Sequence, residues 1–179
     1  MRLFAGLHVS PQFIRQAAAL PRKGMDSARF VHPDDLHITL RFIGDAPDEK
    51  HDEIKNILSG VRMKQFSIVA RGLGAFTQKS QAALYAPIES HKKITHLSAE
   101  ITDRLNKIGF EFPIREFTPH ITLARLKNTQ GLEQYIERNK KAVHAEWAAD
   151  KFYLFKSADP ESEGGARYSV LQEYALTAY

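Results

Sequence analysis

Alternation and helical spacing of apolar positions divide the chain into short elements. Over residues 2–9, Leu3, Ala5, Leu7 and Val9 recur at every second position, which predicts a strand. Ser10-Pro11 reads as an N-cap with proline at the first helical position, opening a short helix to about Leu20. After a loop over 21–27, strands are expected at 29–32 and 36–43, joined by a turn at Pro33-Asp34-Asp35. Asp45 and Pro47 open a second helix with Ile54, Ile57, Leu58 and Val61 as its apolar stripe. Two strands follow at 65–76 and 82–88, and Gly72-Leu73-Gly74 reads as an irregularity within the first. Ser90 caps the most regular helix, in which Ile94, Leu97, Ile101, Leu105 and Ile108 share a face and Gly109 sits at the C-cap. A strand near 118–126, a helix near 132–138 and strands near 151–156 and 168–177 complete the pattern, with a loop over 159–165.

Several strands follow one another through short turns, which argues against a doubly wound parallel sheet and for an α+β fold with largely antiparallel pairing. The halves run in similar order, each with helices flanking a central strand. This suggests two pseudo-symmetric lobes whose sheets face a central cleft, with helices on the outside, in a single bilobal domain over residues 1–179.

Each half carries the same tetrapeptide. His37-Ile38-Thr39-Leu40 recurs as His120-Ile121-Thr122-Leu123. One such repeat is expected by chance in about one chain in five, so the surroundings must carry the case. A lone His-x-Thr on a strand is usually a solvent-facing or hydrogen-bonded pair. Here both copies lie in matching strands, where alternate side chains share a face. His37, Thr39 and Arg41 then oppose Ile38, Leu40 and Phe42, and His120 with Thr122 opposes Ile121 and Leu123. Two imidazoles, with ordinary pKa values near 6.5, can act as base and acid on opposite sides of a phosphorus centre. The threonine hydroxyls and a guanidinium would hold the non-bridging oxygens. Arg125 is the nearest candidate for that guanidinium, and Arg41 a weaker one.

Composition narrows the alternatives. The 179 residues include no cysteine, which excludes thiolate metal sites and a cysteine nucleophile. There is no H-E-x-x-H, P-loop or G-x-G-x-x-G, and His91 and His96 are five apart rather than four. No metal site and no cofactor are expected. No apolar run reaches the roughly 18 residues of a membrane helix, and the first residues lack a signal-peptide pattern, so a cytoplasmic protein is expected. The net charge of +4 suits an anionic substrate. Lys92-Lys93 and Lys140-Lys141 read as solvated faces, and Trp147, Phe110, Phe112 and Phe117 as core.

With its flanks the repeat resembles the 2H phosphoesterases, and within them the RNA 2′,3′-cyclic phosphodiesterases also described as 2′-5′ RNA ligases. The residues that carry this are Met1-Arg2-Leu3-Phe4-Ala5-Gly6-Leu7, Leu36 to Gly44, Phe117 to Arg125 and Gly165 to Leu171. The resemblance implies hydrolysis of a 2′,3′-cyclic phosphate end of RNA, or of a nucleotide, to a 2′-phosphomonoester without a metal. It implies that His37 donates a proton to the 3′-oxygen, that His120 activates water, and that Thr39, Thr122 and Arg125 bind phosphate. Phe42 corresponds to an aromatic near the substrate in such enzymes, yet strand parity turns it away from His37, and it is left out of the expected site. Arg41 departs from the small residue or lysine common at that position. No obligate protein partner is evident. The alternatives are 2′-5′ RNA ligation in the same site and a non-catalytic RNA or nucleotide binder.

Overall fold

The computed structural model describes residues 1–89, 92–114, 116–157 and 167–178. The expected cap at Ser90 and the loop over 159–165 lie outside the described residues. The elements in chain order are β1 (Arg2–His8), α1 (Pro11–Ala18), β2 (Ala28–Phe30), β3 (His37–Asp45), α2 (His51–Ser59), β4 (Phe66–Arg71), β5 (Gly74–Gln78), β6 (Gln81–Pro87), α3 (Lys92–Asn106), β7 (His120–Leu126), α4 (Leu132–Asn139), β8 (His144–Ala149), β9 (Lys151–Ser157) and β10 (Tyr168–Ala175).

Eight strands form one antiparallel sheet in the order β10-β9-β1-β3-β7-β6-β5, with β2 also on β7, and β4 and β8 form a separate two-stranded sheet. The large sheet is two four-stranded halves, β10-β9-β1-β3 and β2-β7-β6-β5. They meet at one residue pair, Ile38 with Ile121, the central aliphatics of the two repeated motifs. The two lobes expected from the sequence are therefore joined edge to edge through the HITL strands. Both residues are fully buried, so the seam belongs to the continuous core beneath the sheet.

Local chemistry accounts for two of the helix ends. The Ser10 hydroxyl accepts the Phe13 N–H at 3.1 Å, with Pro11 inside the first turn of α1. After α3, the Phe110 N–H reaches Leu105 O and the Gly109 N–H reaches Asn106 O. Gly109 lies at φ +90°, a Schellman closure that a side chain would strain. The second helix starts later than expected: a 3₁₀ turn over Asp48–Lys50 precedes α2. The strand expected over 65–76 is two strands in different sheets, because the chain turns at Gly72 between β4 and β5. β8 was not expected at all. His144-Ala145-Glu146-Trp147-Ala148-Ala149 lacks β-branched residues and is ordered as a strand by its ladder with β4. No helix among the described residues is long and apolar enough to cross a membrane.

Candidate active site

The antiparallel register set by Ile38 and Ile121 puts His37 level with Thr122 and Thr39 level with His120. All four side chains lie on the face opposite the buried isoleucines. The two motifs are thus related by a local two-fold through the seam, and their polar groups form two adjacent rungs of one ladder.

The imidazoles are held alike. His37 Nδ1 lies 2.6 Å from the carbonyl oxygen of Asp35, and His120 Nδ1 lies 2.7 Å from that of Thr118, each two residues back. A carbonyl oxygen only accepts, so Nδ1 carries the proton in both rings and Nε2 is left for chemistry. His37 Nε2 is 3.1 Å from Thr39 Oγ1. In the neutral ring that nitrogen accepts from the hydroxyl; in the imidazolium it donates.

Each strand bulges three residues after its histidine. β1 pairs Ala5 with Arg41 and Gly6 with Thr39, skipping Leu40, while β6 pairs Leu84 with Ala124 and Tyr85 with Thr122, skipping Leu123. The extra residue reverses side-chain parity beyond it. Arg41, expected on the His37 face, turns to the helix side, where its Nε donates to Thr102 Oγ1 at 2.8 Å and its guanidinium lies over Phe112. Phe42, expected to face away, comes round to the His37 face beside Phe4 and is exposed. Arg125 likewise comes to the side of His120 and Thr122, exposed, where uninterrupted alternation would have buried it. The carbonyls freed by the bulges are satisfied differently. Leu40 O accepts from the buried Ser98 hydroxyl of α3 at 2.6 Å, and Leu123 O accepts from the Val31 N–H at 2.8 Å.

The surroundings of the histidines were not legible from the motifs. His37 is packed among Phe4, Tyr168 and Phe155, at ring distances of 4.7, 5.0 and 6.0 Å. Gly6 makes this closeness possible, since a Cβ there would stand 2.8 Å from Ile38 O and 3.3 Å from the Phe155 ring. His8 is the cross-strand partner of His37 and lies against Tyr153. His120 meets Phe76 and Tyr85 edge-on at 4.9 and 5.4 Å, and these two rings stack on each other. Asp35 is buried, and its carboxylate accepts the backbone N–H groups of Arg167 and Tyr168 at 2.7 and 3.3 Å. One residue therefore orients His37 through its carbonyl and pins the start of β10 through its side chain.

Burial holds the His37 imidazole below its ordinary value of 6.5. The Asp35 hydrogen bond and charge offset this in part, and His8 and His120 reinforce it. Burial pushes His8 down as well. Among the described residues no group of three His, Asp or Glu side chains comes together as a metal site.

Two antiparallel half-sheets, each offering a His-x-Thr strand to one shared polar face, define the 2H phosphoesterase class. A family model of the 2′-5′ RNA ligase superfamily matches residues 9–161, and the chain belongs to that superfamily. It is 27% identical to the RNA 2′,3′-cyclic phosphodiesterase of Methanocaldococcus jannaschii over 97% of this chain and 100% of that one. The Thermotoga maritima protein of the same name is 28% identical over 97% of this chain and 94% of its own. Among solved structures, Escherichia coli LigT complexed with 3′-AMP matches 98% of both chains with a TM-score of 0.75 at 23% identity. A Thermus thermophilus protein does so with a TM-score of 0.78 at 22% identity. At that identity the likeness is one of fold.

Proposed function

We propose that this protein hydrolyses RNA 2′,3′-cyclic phosphate ends to 2′-phosphomonoesters by histidine acid–base catalysis, working as one bilobal unit over residues 1–179. The observation that carries this reading is the paired presentation of Nε2. Two imidazoles with the same Nδ1-to-carbonyl lock stand on one sheet face, each with a threonine hydroxyl from the other motif on its rung. The names of the M. jannaschii and T. maritima relatives supply the substrate class.

In this mechanism His120 Nε2 takes a proton from water as the water oxygen attacks phosphorus. The P–O3′ bond breaks, and the O3′ leaving group takes the proton from His37 Nε2. The product carries a 2′-phosphate and a free 3′-hydroxyl, and the two histidines then exchange protons with solvent to reset. Thr39, Thr122 and Arg125 donate to the non-bridging oxygens as charge builds on them. The roles are not interchangeable in these surroundings. His120 meets rings edge-on and is open to water, while His37 sits in an aromatic pocket that shields a leaving oxygen. No step requires a metal.

The test is hydrolysis of an oligonucleotide ending in a 2′,3′-cyclic phosphate, with EDTA present and the product monoester identified. EDTA-resistant release of the 2′-phosphate is expected. A 3′-phosphate product would overturn the leaving-group assignment, loss of turnover in EDTA the metal-free mechanism, and binding without turnover the enzymatic reading.

A further inference from the structure

Three positions along β7 from Thr122, on the same face, the ladder carries an arginine pair. Arg29 of β2 is the Cα partner of Arg125 of β7, and Val31 continues that pairing into the Leu123 carbonyl. β2 and β3 run in succession along one edge of β7. Their outward side chains on this face are therefore Arg29, His37 and Thr39, opposite Arg125, Thr122 and His120.

Like charges directly opposite on an antiparallel pair repel, with Cβ atoms about 4.5–5.5 Å apart. Both arginines are exposed, and among the described residues neither takes part in an ion pair, although eight other side-chain pairs do. Arg22 lies over the Phe30 ring next door, so the positive character of β2 is not relieved there either. Two exposed arginines at directly paired positions of neighbouring strands can reach one oxyanion from both sides. A site that binds the cyclic phosphate through Arg125 needs no second arginine paired with it on β2.

We infer that Arg29 and Arg125 together form a second anion subsite, which takes the backbone phosphate one nucleotide 5′ of the cyclic end. This rests on the phosphodiesterase reading and sharpens it: the substrate class is an oligonucleotide end rather than a free cyclic mononucleotide. The cyclic phosphate sits at the two His/Thr rungs, and the RNA chain leaves along β7 toward its pairing with β2. Arg125, on the strand that also carries Thr122, serves both phosphates, and Arg29, on β2, serves only the second.

The experiment compares a dinucleotide ending in a 2′,3′-cyclic phosphate with the corresponding cyclic mononucleotide, for the wild type and R29A. The wild type should favour the dinucleotide. R29A should lose about tenfold of that preference, chiefly in KM, as expected for one charge-assisted hydrogen-bonded contact. Its kcat/KM on the mononucleotide should stay within about twofold. R29K should recover part of the preference, and the salt dependence of dinucleotide kcat/KM should flatten in R29A. The Tm of R29A should not fall, because the substitution relieves a like-charge pair. Equal losses on both substrates, or an unchanged preference, would overturn the subsite while leaving the phosphodiesterase reading intact. Turnover of neither substrate by the wild type would overturn both.

Discussion

His37 and His120 make the same hydrogen bond to the carbonyl two residues back, yet their surroundings differ. Around His37 the sheet is backed by α3, the bulge carbonyl is held by Ser98, and Phe4, Phe155 and Tyr168 close over the ring. A buried carboxylate, Asp35, braces the turn before it. Around His120 the bulge is held only by the backbone of Val31, and aromatic rings cover one side. One tetrapeptide has been placed twice on a pseudo-symmetric frame, and the frame rather than the motif differentiates the copies. The more enclosed copy suits protonation of a leaving oxygen, and the more open copy suits activation of water.

Several substitutions would break or sharpen that contrast. H37A and H120A should each lower kcat by about 10²–10⁴-fold. Near-native turnover in either would remove the acid–base pair. T39A and T122A should cost about ten- to a few-hundred-fold in kcat/KM, as for one hydrogen bond strengthened in the transition state. T39A should be the larger, because Thr39 also contacts its own histidine; equal losses would argue that the rungs are equivalent. D35A strands two backbone donors and should destabilise the fold by roughly 2–4 kcal/mol in denaturant melts. D35N keeps an acceptor oxygen and should retain most of that stability. It also removes the charge that raises the His37 pKa, so its pH profile should move to lower pH. S98A leaves the Leu40 carbonyl without its hydroxyl partner, which should cost about 1–2 kcal/mol of stability. The loss of activity should track misplacement of His37 and leave His120-dependent binding of water untouched.

What could be read from the sequence was whatever obeys local rules. The Ser10 cap, the α3 stripe with its Gly109 closure, and the paired HITL strands follow from residue type and spacing. The bulges at Leu40 and Leu123 do not. They depend on what lies across the strand, and they reverse the facing of the residues that follow, in β3 as far as a second irregularity at Ile43. For that reason alternation misplaced Arg41 and Phe42 and would have hidden Arg125. Asp35 escaped notice because a turn aspartate before a strand looks like ordinary turn chemistry. Its partners, Arg167 and Tyr168, lie more than 130 positions away. β8 was invisible for a related reason: Ala145 and Ala149 become inward-facing strand positions only once β4 pairs with them.

The most direct test of the contrast between the histidines is the pH dependence of kcat/KM, which reports the free enzyme. His37 must be protonated to donate, and burial lowers its pKa below 6.5. Activity should therefore decline as pH rises through a value below 6.5, and substituting His8 by glutamine should move that decline upward by removing a neighbour that pushes His37 down. A decline that sits above 6.5 in the wild type and does not respond to His8 would contradict the assignment of the proton donor to the more enclosed copy of the motif.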